Sequence, residues 1–438
     1  MLAQSAKDAV EAAPRQPLTR NQKLGLLAAW GGYSLDGMDA SIFGLVLVPA
    51  LRELLPASGM AATEANLGAQ GGFLFAMFLI GWGLSACWGP VADRFGRVRT
   101  LSLTVLWYAL FTALCGFASN VWHLAVLRLL AGIGVGGEYS ISSAFISEEW
   151  PEQARTRGIG YLNTGFPVGT FLAALANYTI GAHFGWRAMF LFGGLPALLV
   201  AFIRYCVKEP ERWEKRMQEI GGKLSAREPL FGLFTREYRR RTIVNAVVLM
   251  GAMVGYWAGT AYVPATISLL ALRNGLSRQR AAELASNAFM VVAIGTIVGH
   301  LVCPRVADRL GRKGAGVVYF FLAMVAIAVG FGHVYYMASG ALGWFLVCVF
   351  VLGIGGGSFT VYTIWVPEQY HTEQRASAMA FALGVGRFVT AAATYLVGGG
   401  IKYFGTVGAP IALSSLVLLL AMLVIPFGIE TRGKELPA

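Results

Sequence analysis

Ionisable side chains stand inside apolar stretches of this sequence, where an isolated charge is costly. Asp36 and Asp39 lie in the first apolar stretch, Arg128 and Glu138 in the fourth, and Arg387 in the eleventh. A carboxylate in such a place must face water, meet a cation or take up a proton, as a proton-coupling site requires. Arginine keeps its charge and offers a fork of donors to a carboxylate. These residue types predict proton-linked binding of a small organic anion.

The two aspartates are three residues apart, so on a helix they share one face and can titrate as a coupled pair. This spacing leaves open which of Asp36 and Asp39 carries the proton. Glu138 is a further candidate, and its alternative role is that of a hydrogen-bonded structural acid. Arg128 and Glu138 are separated by about 15 Å along a helix, which is too far for direct pairing.

Arg387 is preceded by Gly384 and Gly386, which leave room for a ligand or a neighbouring helix. We expect it to bind the carboxylate of the substrate, and the alternative is an ion pair with one of the aspartates of the first stretch. Other residues expected at a substrate site are Arg128, Tyr33, Tyr139 and Tyr362.

The composition places these residues in a membrane. The 438-residue chain is 56% hydrophobic and only 13% charged, with a mean hydropathy of +0.60, whereas soluble proteins carry about 25% charged residues. A span across a hydrocarbon core of ~30 Å takes roughly 20 apolar residues. Stretches of that length occur near 24–51, 69–91, 99–118, 121–147, 156–181, 185–206, 241–270, 284–304, 315–337, 341–366, 374–400 and 405–429. The sequence therefore predicts an all-α integral membrane protein with 12 transmembrane helices.

The polar segments between these stretches divide the chain. We predict a cytosolic tail at 1–23, a six-helix bundle at 24–206, a cytosolic linker at 207–240, a second six-helix bundle at 241–429 and a cytosolic tail at 430–438. Most of the 35 Lys and Arg residues fall in loops of one side, which the positive-inside rule makes the cytosolic side of a bacterial inner membrane. The formal charge of +12 is thereby explained without a nucleic-acid partner.

The cysteines and histidines are scattered, with no metal-ligand or disulfide spacing among Cys87, Cys115, Cys206, Cys303, Cys348, His123, His183, His300, His333 and His371. We expect no metal and no cofactor, and we expect structural roles for the histidines. Nothing resembles the nucleophile or metal constellation of an enzyme.

The two halves repeat one another. Gly89-Pro-Val-Ala-Asp-Arg-Phe-Gly-Arg97 follows the second stretch, and Pro304-Arg-Val-Ala-Asp-Arg-Leu-Gly-Arg312 follows the eighth. The Pro-Glu-Gln segments at 151–153 and 367–369 keep the same separation to within one residue. Two matched loops of this kind indicate two homologous six-helix units that face each other across a central site.

These loops, together with Arg128-x3-Gly132-x3-Gly136, resemble the signature motifs of the major facilitator superfamily. Asp36-Gly-Met-Asp39, Gly137-Glu-Tyr139 and Gly185-Trp-Arg-Ala188 resemble, more narrowly, proton-coupled carboxylate symporters of the sialate and monocarboxylate branch. The resemblance implies a major facilitator fold, a monomer and alternating access. It also implies that the loops gate the transporter through Asp93, Arg94, Gly96, Arg97, Asp308, Arg309 and Arg312.

The resulting hypothesis is a secondary active transporter that carries a small organic acid, a monocarboxylate or a sialate-like acid, together with protons. An aromatic-acid and proton symporter is the alternative within transport, because the Asp-Gly-x-Asp element occurs there too. A transporter-like membrane sensor that binds its ligand without moving it is the alternative outside transport.

Overall fold

The computed structural model describes residues 18–62, 64–195, 207–219, 228–404, 406–434 and 436–437. Within these ranges the chain forms helices and no β-strand. We number the α-helices α1 Arg20–Ala57, α2 Glu64–Leu84, α3 Trp88–Phe95, α4 Arg97–Cys115, α5 Val121–Glu149, α6 Glu152–Asn163, α7 Gly165–Ala176, α8 Ala182–Phe192, α9 Glu211–Glu219, α10 Glu228–Gly232, α11 Arg239–Ala261, α12 Val263–Arg273, α13 Arg278–Gly332, α14 Ala341–Gly355, α15 Ser358–Trp365, α16 Arg375–Phe404, α17 Gly408–Ser414 and α18 Leu416–Val424. A π-helical turn lies at Asn177–Gly181. Short 3-10 turns lie at Ser85–Cys87, Val334–Tyr336, Pro367–Gln369, Thr372–Gln374 and Ile425–Phe427.

The apolar helices are long enough to cross a membrane. In the described residues nine helices meet the length and apolarity that a span needs, and the bent pair Arg20–Leu47 and Pro49–Ala57 makes a tenth candidate. One of the nine, Asn287–Tyr336, has 50 residues and contains the non-helical Gly311, so it supplies two crossings. The second half of the predicted sixth span lies outside the described residues.

Each half packs around its own apolar core, and the halves meet along α13 and α16 of the second half. In the first half α1 packs on α7, and α5 packs on α2 and α4. In the second half α11 packs on α16, and α14 packs on α13. Between the halves, α16 contacts α2 and α3, while α13 contacts α6 and α7. The predicted boundary at residue 206, the tail as far as residue 17 and linker residues 220–227 lie outside the described residues.

The repeated loop has the same backbone shape in both halves. Gly96 and Gly311 both have positive φ, at 108° and 79°, a conformation that costs little only for glycine. Each glycine reverses the chain between two helices and is followed at once by an arginine. We call the end of the bundle that carries both loops the loop end.

Candidate functional site

A cavity lies between the two halves, and its wall is rich in aromatic side chains. The basic side chains in this wall are those of Arg387 and His300. The residues that line it are Tyr33, Trp82, Tyr139, Phe166, Pro167, Thr170, Met253, Tyr256, Trp257, Thr260, Phe289, Val292, Ala293, Thr296, His300, Phe359, Leu383 and Arg387. Helices of both halves therefore build the wall, as a central transport site requires.

Arg387 crosses the interface from α16 to α2. Its Nη1 donates to the carbonyl oxygen of Trp82 at 3.2 Å and to the Ser85 hydroxyl at 3.4 Å. The guanidinium lies 4.3 Å from the centroid of the Trp82 ring, and Nε has no hydrogen-bond partner among the described residues. Among the described residues no carboxylate lies within 4.0 Å of the Arg387 guanidinium. The ion pair with Asp36 or Asp39 that the sequence left open is therefore absent from this conformation.

Asp39 and Arg128 form a buried ion pair within the first half. The distance from Asp39 Oδ2 to Arg128 Nη1 is 3.6 Å. The Thr112 hydroxyl joins the pair, because it donates to Asp39 Oδ1 at 2.7 Å and accepts from Arg128 Nη2 at 3.0 Å. Arg128 also lies 5.0 Å from the centroid of the Phe190 ring. Each charge thus has a partner, and both side chains are fully enclosed.

Asp36 and Glu138 have no such cation. Asp36 is 1% exposed, and its Oδ1 lacks a hydrogen-bond partner in the described structure. Glu138 accepts one long hydrogen bond, 3.4 Å from the Ser142 hydroxyl, and its Oε2 has no partner within the same residues. The Glu138 carboxyl lies against Gly32 of α1, where a Cβ would stand 2.0 Å from Oε1. Since Gly32 precedes Asp36 by one helical turn, the two acids approach the same face of α1.

Tyr139 lies in the cavity wall and also contacts the second half. Its hydroxyl donates to Asn163 Oδ1 at 3.0 Å and is in hydrogen-bond contact with Thr363 of the second half. The carbonyl oxygen of Phe359 lies 3.1 Å from the same hydroxyl. The Tyr139 ring packs on Tyr33, with 4.8 Å between centroids. Tyr139 therefore contacts the cavity on one side and the other half of the protein on the other.

Two residues expected to bind substrate lie outside the cavity. Tyr362 is fully buried inside the second half, where its ring packs on Phe320 and Trp365. On the same helix Phe359 lines the cavity and Thr363 contacts Tyr139 of the first half. Arg128 is enclosed with Asp39 and does not reach the cavity. The expectation of direct ligand contact for Tyr362 and Arg128 thus differs from their positions in this conformation.

At the loop end, Arg97 links acids of the first half to the backbone of the second. Its Nη2 and Nε donate to Glu148 at 2.8 and 3.2 Å, and Nη2 also donates to the Thr372 carbonyl oxygen at 2.9 Å. Nη1 lies 2.7 Å from Asp93 Oδ1. From the other half, Arg375 Nη1 lies 3.3 Å from Glu148. This buried network closes the loop end of the cavity.

The second loop repeats this arrangement. Arg312 donates to Glu368 from Nε at 3.0 Å and from Nη2 at 2.8 Å. Arg155 reaches Glu368 from the first half at 3.2 Å, and the Thr431 hydroxyl donates to it at 2.5 Å. Glu368, like Glu148, accordingly accepts from one arginine of its own half and one of the opposite half.

The two loop aspartates differ in what they touch. Asp93 is fully buried and its Oδ2 accepts from the Ser377 amide at 3.0 Å and from the Ser377 hydroxyl at 2.5 Å, so it bonds the first turns of α16 across the interface. The Asp308 side chain is 54% exposed and pairs with the arginine of its own loop. Arg94 and Arg309 are exposed as well. Of the residues assigned to gating, Asp93 and Arg97 contact the opposite half directly. Arg312 is linked to it through Glu368, which Arg155 of the first half also contacts.

The linker between the halves also contacts the loop end. In α9, the Trp213 indole donates to the Asp93 carbonyl oxygen at 2.8 Å. Arg216 holds Glu373 of the second half with two hydrogen bonds of 3.1 Å each. The linker helix thus bridges the same interface as the two loops.

After each loop glycine, the backbone N–H groups of the next residues donate hydrogen bonds to a single carboxylate. Glu209 binds the amides of residues 97–99, and Glu430 binds those of Arg312 and Lys313. Burial raises the pKa of Glu209 despite these donors. Burial acts in the same direction on Glu430, but the backbone donors outweigh it and hold the pKa of Glu430 below its usual value. Both carboxylates fix the first turn of the helix that follows the loop.

Sequence reasoning missed four charged residues of the loop end, namely Glu148, Arg155, Glu368 and Arg375. A signal for them was present, because Glu148 precedes Arg155 by the same seven residues that separate Glu368 from Arg375. It also missed Trp82, whose carbonyl oxygen and ring both contact Arg387. A backbone acceptor and a ring contact leave no charge pattern in a sequence.

Two six-helix units around a central cavity that is closed at one end define a class of membrane transporter. Comparison with known proteins identifies the family. A family model described as Major Facilitator Superfamily matches residues 29–331. The chain belongs to this superfamily, and it is a multi-pass membrane transporter and not an enzyme.

Individual relatives agree with this assignment. The chain is 31% identical over 423 residues to a putative metabolite transport protein of Haemophilus influenzae, covering 94% of this chain and 97% of that protein. It is 29% identical over 424 residues to a probable 4-methylmuconolactone transporter of Cupriavidus pinatubonensis, covering 94% and 91%. The solved structure of the proton:xylose symporter XylE superposes with a TM-score of 0.80 at 19% identity, covering 95% of this chain and 98% of that one. The predicted all-α major facilitator fold is thus confirmed.

Proposed function

We propose that this chain is a proton-coupled symporter of small aromatic carboxylates in a bacterial inner membrane. The observation that carries the proposal is the environment of Arg387. This cation lies in an aromatic cavity between the halves, and no described carboxylate neutralises it. A buried guanidinium without a counter-anion is costly, and a substrate carboxylate supplies that anion through a charge-assisted hydrogen bond to the free Nε.

The lining favours an aromatic acid over a sialate-like or aliphatic acid. Eight of the cavity residues are Phe, Tyr or Trp, and rings of this kind pack on a planar ligand by edge and face contacts. Sialic acid carries several hydroxyl groups, and an aromatic wall leaves them without hydrogen-bond partners. The Cupriavidus relative is described as a probable 4-methylmuconolactone transporter.

For proton coupling we assign different roles to the two aspartates of α1. Asp39 is already paired with Arg128. Asp36 and Glu138 are two enclosed acids without a cation of their own, and like charges in such a place hold at least one proton between them. The proton-binding site is therefore the Asp36–Glu138 pair. This assignment selects one of the possibilities that the sequence left open.

Coupling follows from the position of Arg387 relative to this pair. Tyr33 lines the cavity together with Arg387, and Asp36 follows Tyr33 by three residues on the same face of α1, so we expect the positive charge of Arg387 to attract the Asp36 carboxylate. A substrate carboxylate bound to Arg387 cancels the favourable field, so Asp36 takes up a proton when the substrate binds. By linkage, protonation of Asp36 strengthens substrate binding by the same factor.

Alternating access then requires the loop end to open. In this conformation the networks around Glu148 and Glu368 close it, so we assign the outward-facing side of the cycle to this structure. The basic loops make the loop end cytosolic, with both termini and the linker at 207–240 on the same side. Proton and substrate would enter from outside and leave after the arginine–glutamate contacts between the halves separate.

Uptake into proteoliposomes tests the proposal. Labelled benzoate, lactate, sialic acid and xylose are each offered with and without an inward proton gradient. Accumulation of benzoate that depends on the gradient supports aromatic-acid symport. Accumulation of lactate or sialic acid in its place refutes the substrate class, and benzoate binding without any flux supports the sensor alternative.

A further inference from the structure

His300 lies in the wall of the central cavity on α13, and only 4% of its surface is exposed. Its Nδ1 is 2.8 Å from the hydroxyl oxygen of Thr360 on α15. The scattered histidines of the sequence predicted structural roles, but this one faces the space between the halves. Its chemistry therefore bears on what the cavity can bind.

The Thr360 contact occupies one of the two ring nitrogens. Among the described residues the Thr360 hydroxyl has no other hydrogen-bond partner, and it can donate its proton to Nδ1. A neutral imidazole that accepts at Nδ1 carries its own proton on Nε2. Nε2 has no protein partner within the described ranges. It is thus the ring nitrogen that is available to a ligand.

The neighbouring polar groups of this wall are already occupied. Thr296, one helical turn before His300, binds the Tyr256 hydroxyl at 2.9 Å and donates to the Val292 carbonyl oxygen at 2.8 Å. The residues around them are mainly apolar. A donor left unpaired in such a wall costs free energy, and a ligand acceptor removes that cost.

We propose that His300 is a second polar anchor of the substrate, donating from Nε2 to an acceptor on the ring of an aromatic carboxylate. The preferred ligand class is then a hydroxylated benzoate, held by Arg387 at its carboxylate and by His300 at its hydroxyl oxygen. This inference rests on the proposed function, because it requires the carboxylate to be bound at Arg387.

The test is isothermal titration of the purified full-length protein in detergent with benzoate and the three hydroxybenzoate isomers. One isomer is expected to bind roughly five- to tenfold more tightly than benzoate, as one hydrogen bond allows. His300→Phe should abolish that preference and leave benzoate affinity within about twofold. His300→Gln, which keeps a donor, should retain part of the preference. The exposed His183 provides the matched control, and His183→Phe should change neither affinity.

Thr360→Val supplies a second variant that keeps the imidazole. It frees Nδ1 to hold the proton, so the hydroxybenzoate preference should fall while benzoate affinity stays. Wild-type protein that binds benzoate and all isomers equally overturns the role of His300 and leaves the proposed function standing. Equal loss of benzoate and hydroxybenzoates in both variants also overturns it, because that result shows a structural residue. Failure of every benzoate to bind wild-type protein refutes the proposed function itself.

Discussion

Asp39 is ion-paired with Arg128, whereas Asp36, one turn earlier on the same helix, has no cation partner among the described residues. The pair joins α1 to α5 with Oδ2 and Nη1 3.6 Å apart, and Thr112 holds both members. The Glu138 carboxyl lies against Gly32, one helical turn before Asp36 on the same helix. Two acids three residues apart therefore occupy different electrostatic environments, and substitutions at them should have different consequences.

Asp39→Asn should destabilise the protein because it leaves Arg128 buried without a counter-charge. Breaking a buried pair costs about 3–5 kcal/mol, so the melting temperature in detergent should drop and expression should fall. The double variant Asp39→Asn with Arg128→Gln removes both charges and should recover part of the loss. Equal melting temperatures of Asp39→Asn and wild type would show that the pair contributes nothing.

Asp36→Asn should leave stability nearly unchanged, because asparagine has almost the same size and breaks no ion pair of Asp36 among the described residues. The variant should exchange substrate across proteoliposome membranes but fail to accumulate it against a gradient. Asp39→Asn serves as the comparison, since its defect lies in stability. Full gradient-driven accumulation by Asp36→Asn would move the coupling site to Glu138 alone.

Arg387→Lys should weaken benzoate binding roughly 10- to 100-fold, since a charge-assisted hydrogen bond contributes about 1.5–3 kcal/mol. Lysine keeps the charge but loses the planar fork and its stacking on Trp82. Isothermal titration measures the effect, and the neutral analogue benzamide controls for loss of the cavity. Benzamide should bind both proteins with similar affinity. A parallel loss of benzoate and benzamide would contradict carboxylate recognition at this residue.

The repeat offers a matched pair for the gate. Asp93→Asn weakens a buried contact with Ser377 of the opposite half, whereas Asp308→Asn alters an exposed side chain. The first should slow counterflow severalfold with benzoate affinity retained, and the second should have little effect. Similar counterflow rates for the two variants would show that the contact between Asp93 and Ser377 does not limit the conformational cycle.

Glu430 should make stability depend on acidic pH. Its pKa is lowered in the folded protein, so its contribution is present above the unfolded value and is lost as pH falls through the lowered folded value. Glu430→Gln should lower stability at pH 7 by about 1 kcal/mol, the usual worth of a helix cap, and the difference should shrink towards pH 3. Melting curves at the two pH values measure it. A stability difference of the same size at both pH values would show that the effect comes from the shape of the side chain and not from its charge.

Sequence patterns predicted the helical membrane fold and the intramembrane charges because both depend on local composition. Apolar stretches define the spans, and a charge inside one of them stands out without any knowledge of its neighbours. The matched loops around Gly96 and Gly311 were equally visible, since glycine is what a positive φ requires.

The partners of these charges could not be predicted, because they depend on which helices meet. Asp39 and Asp36 looked equivalent in the first stretch, and only the packing of α1 on α5 brings Arg128 to one of them. Tyr362 packs on Phe320 and Trp365 inside the second half, and that packing depends on residues distant in the sequence. Arg387 meets a carbonyl oxygen and a ring of Trp82 where an acid was the alternative, and neither partner carries a charge.

The most direct test of coupled binding is a count of the protons taken up when benzoate binds to purified protein in weakly buffered detergent solution. The account predicts uptake of about one proton per benzoate bound by wild-type protein near neutral pH. It predicts no uptake by Asp36→Asn and an unchanged count in the exposed control Asp308→Asn. Benzoate binding to wild-type protein without any proton uptake would contradict the link between Arg387 and Asp36.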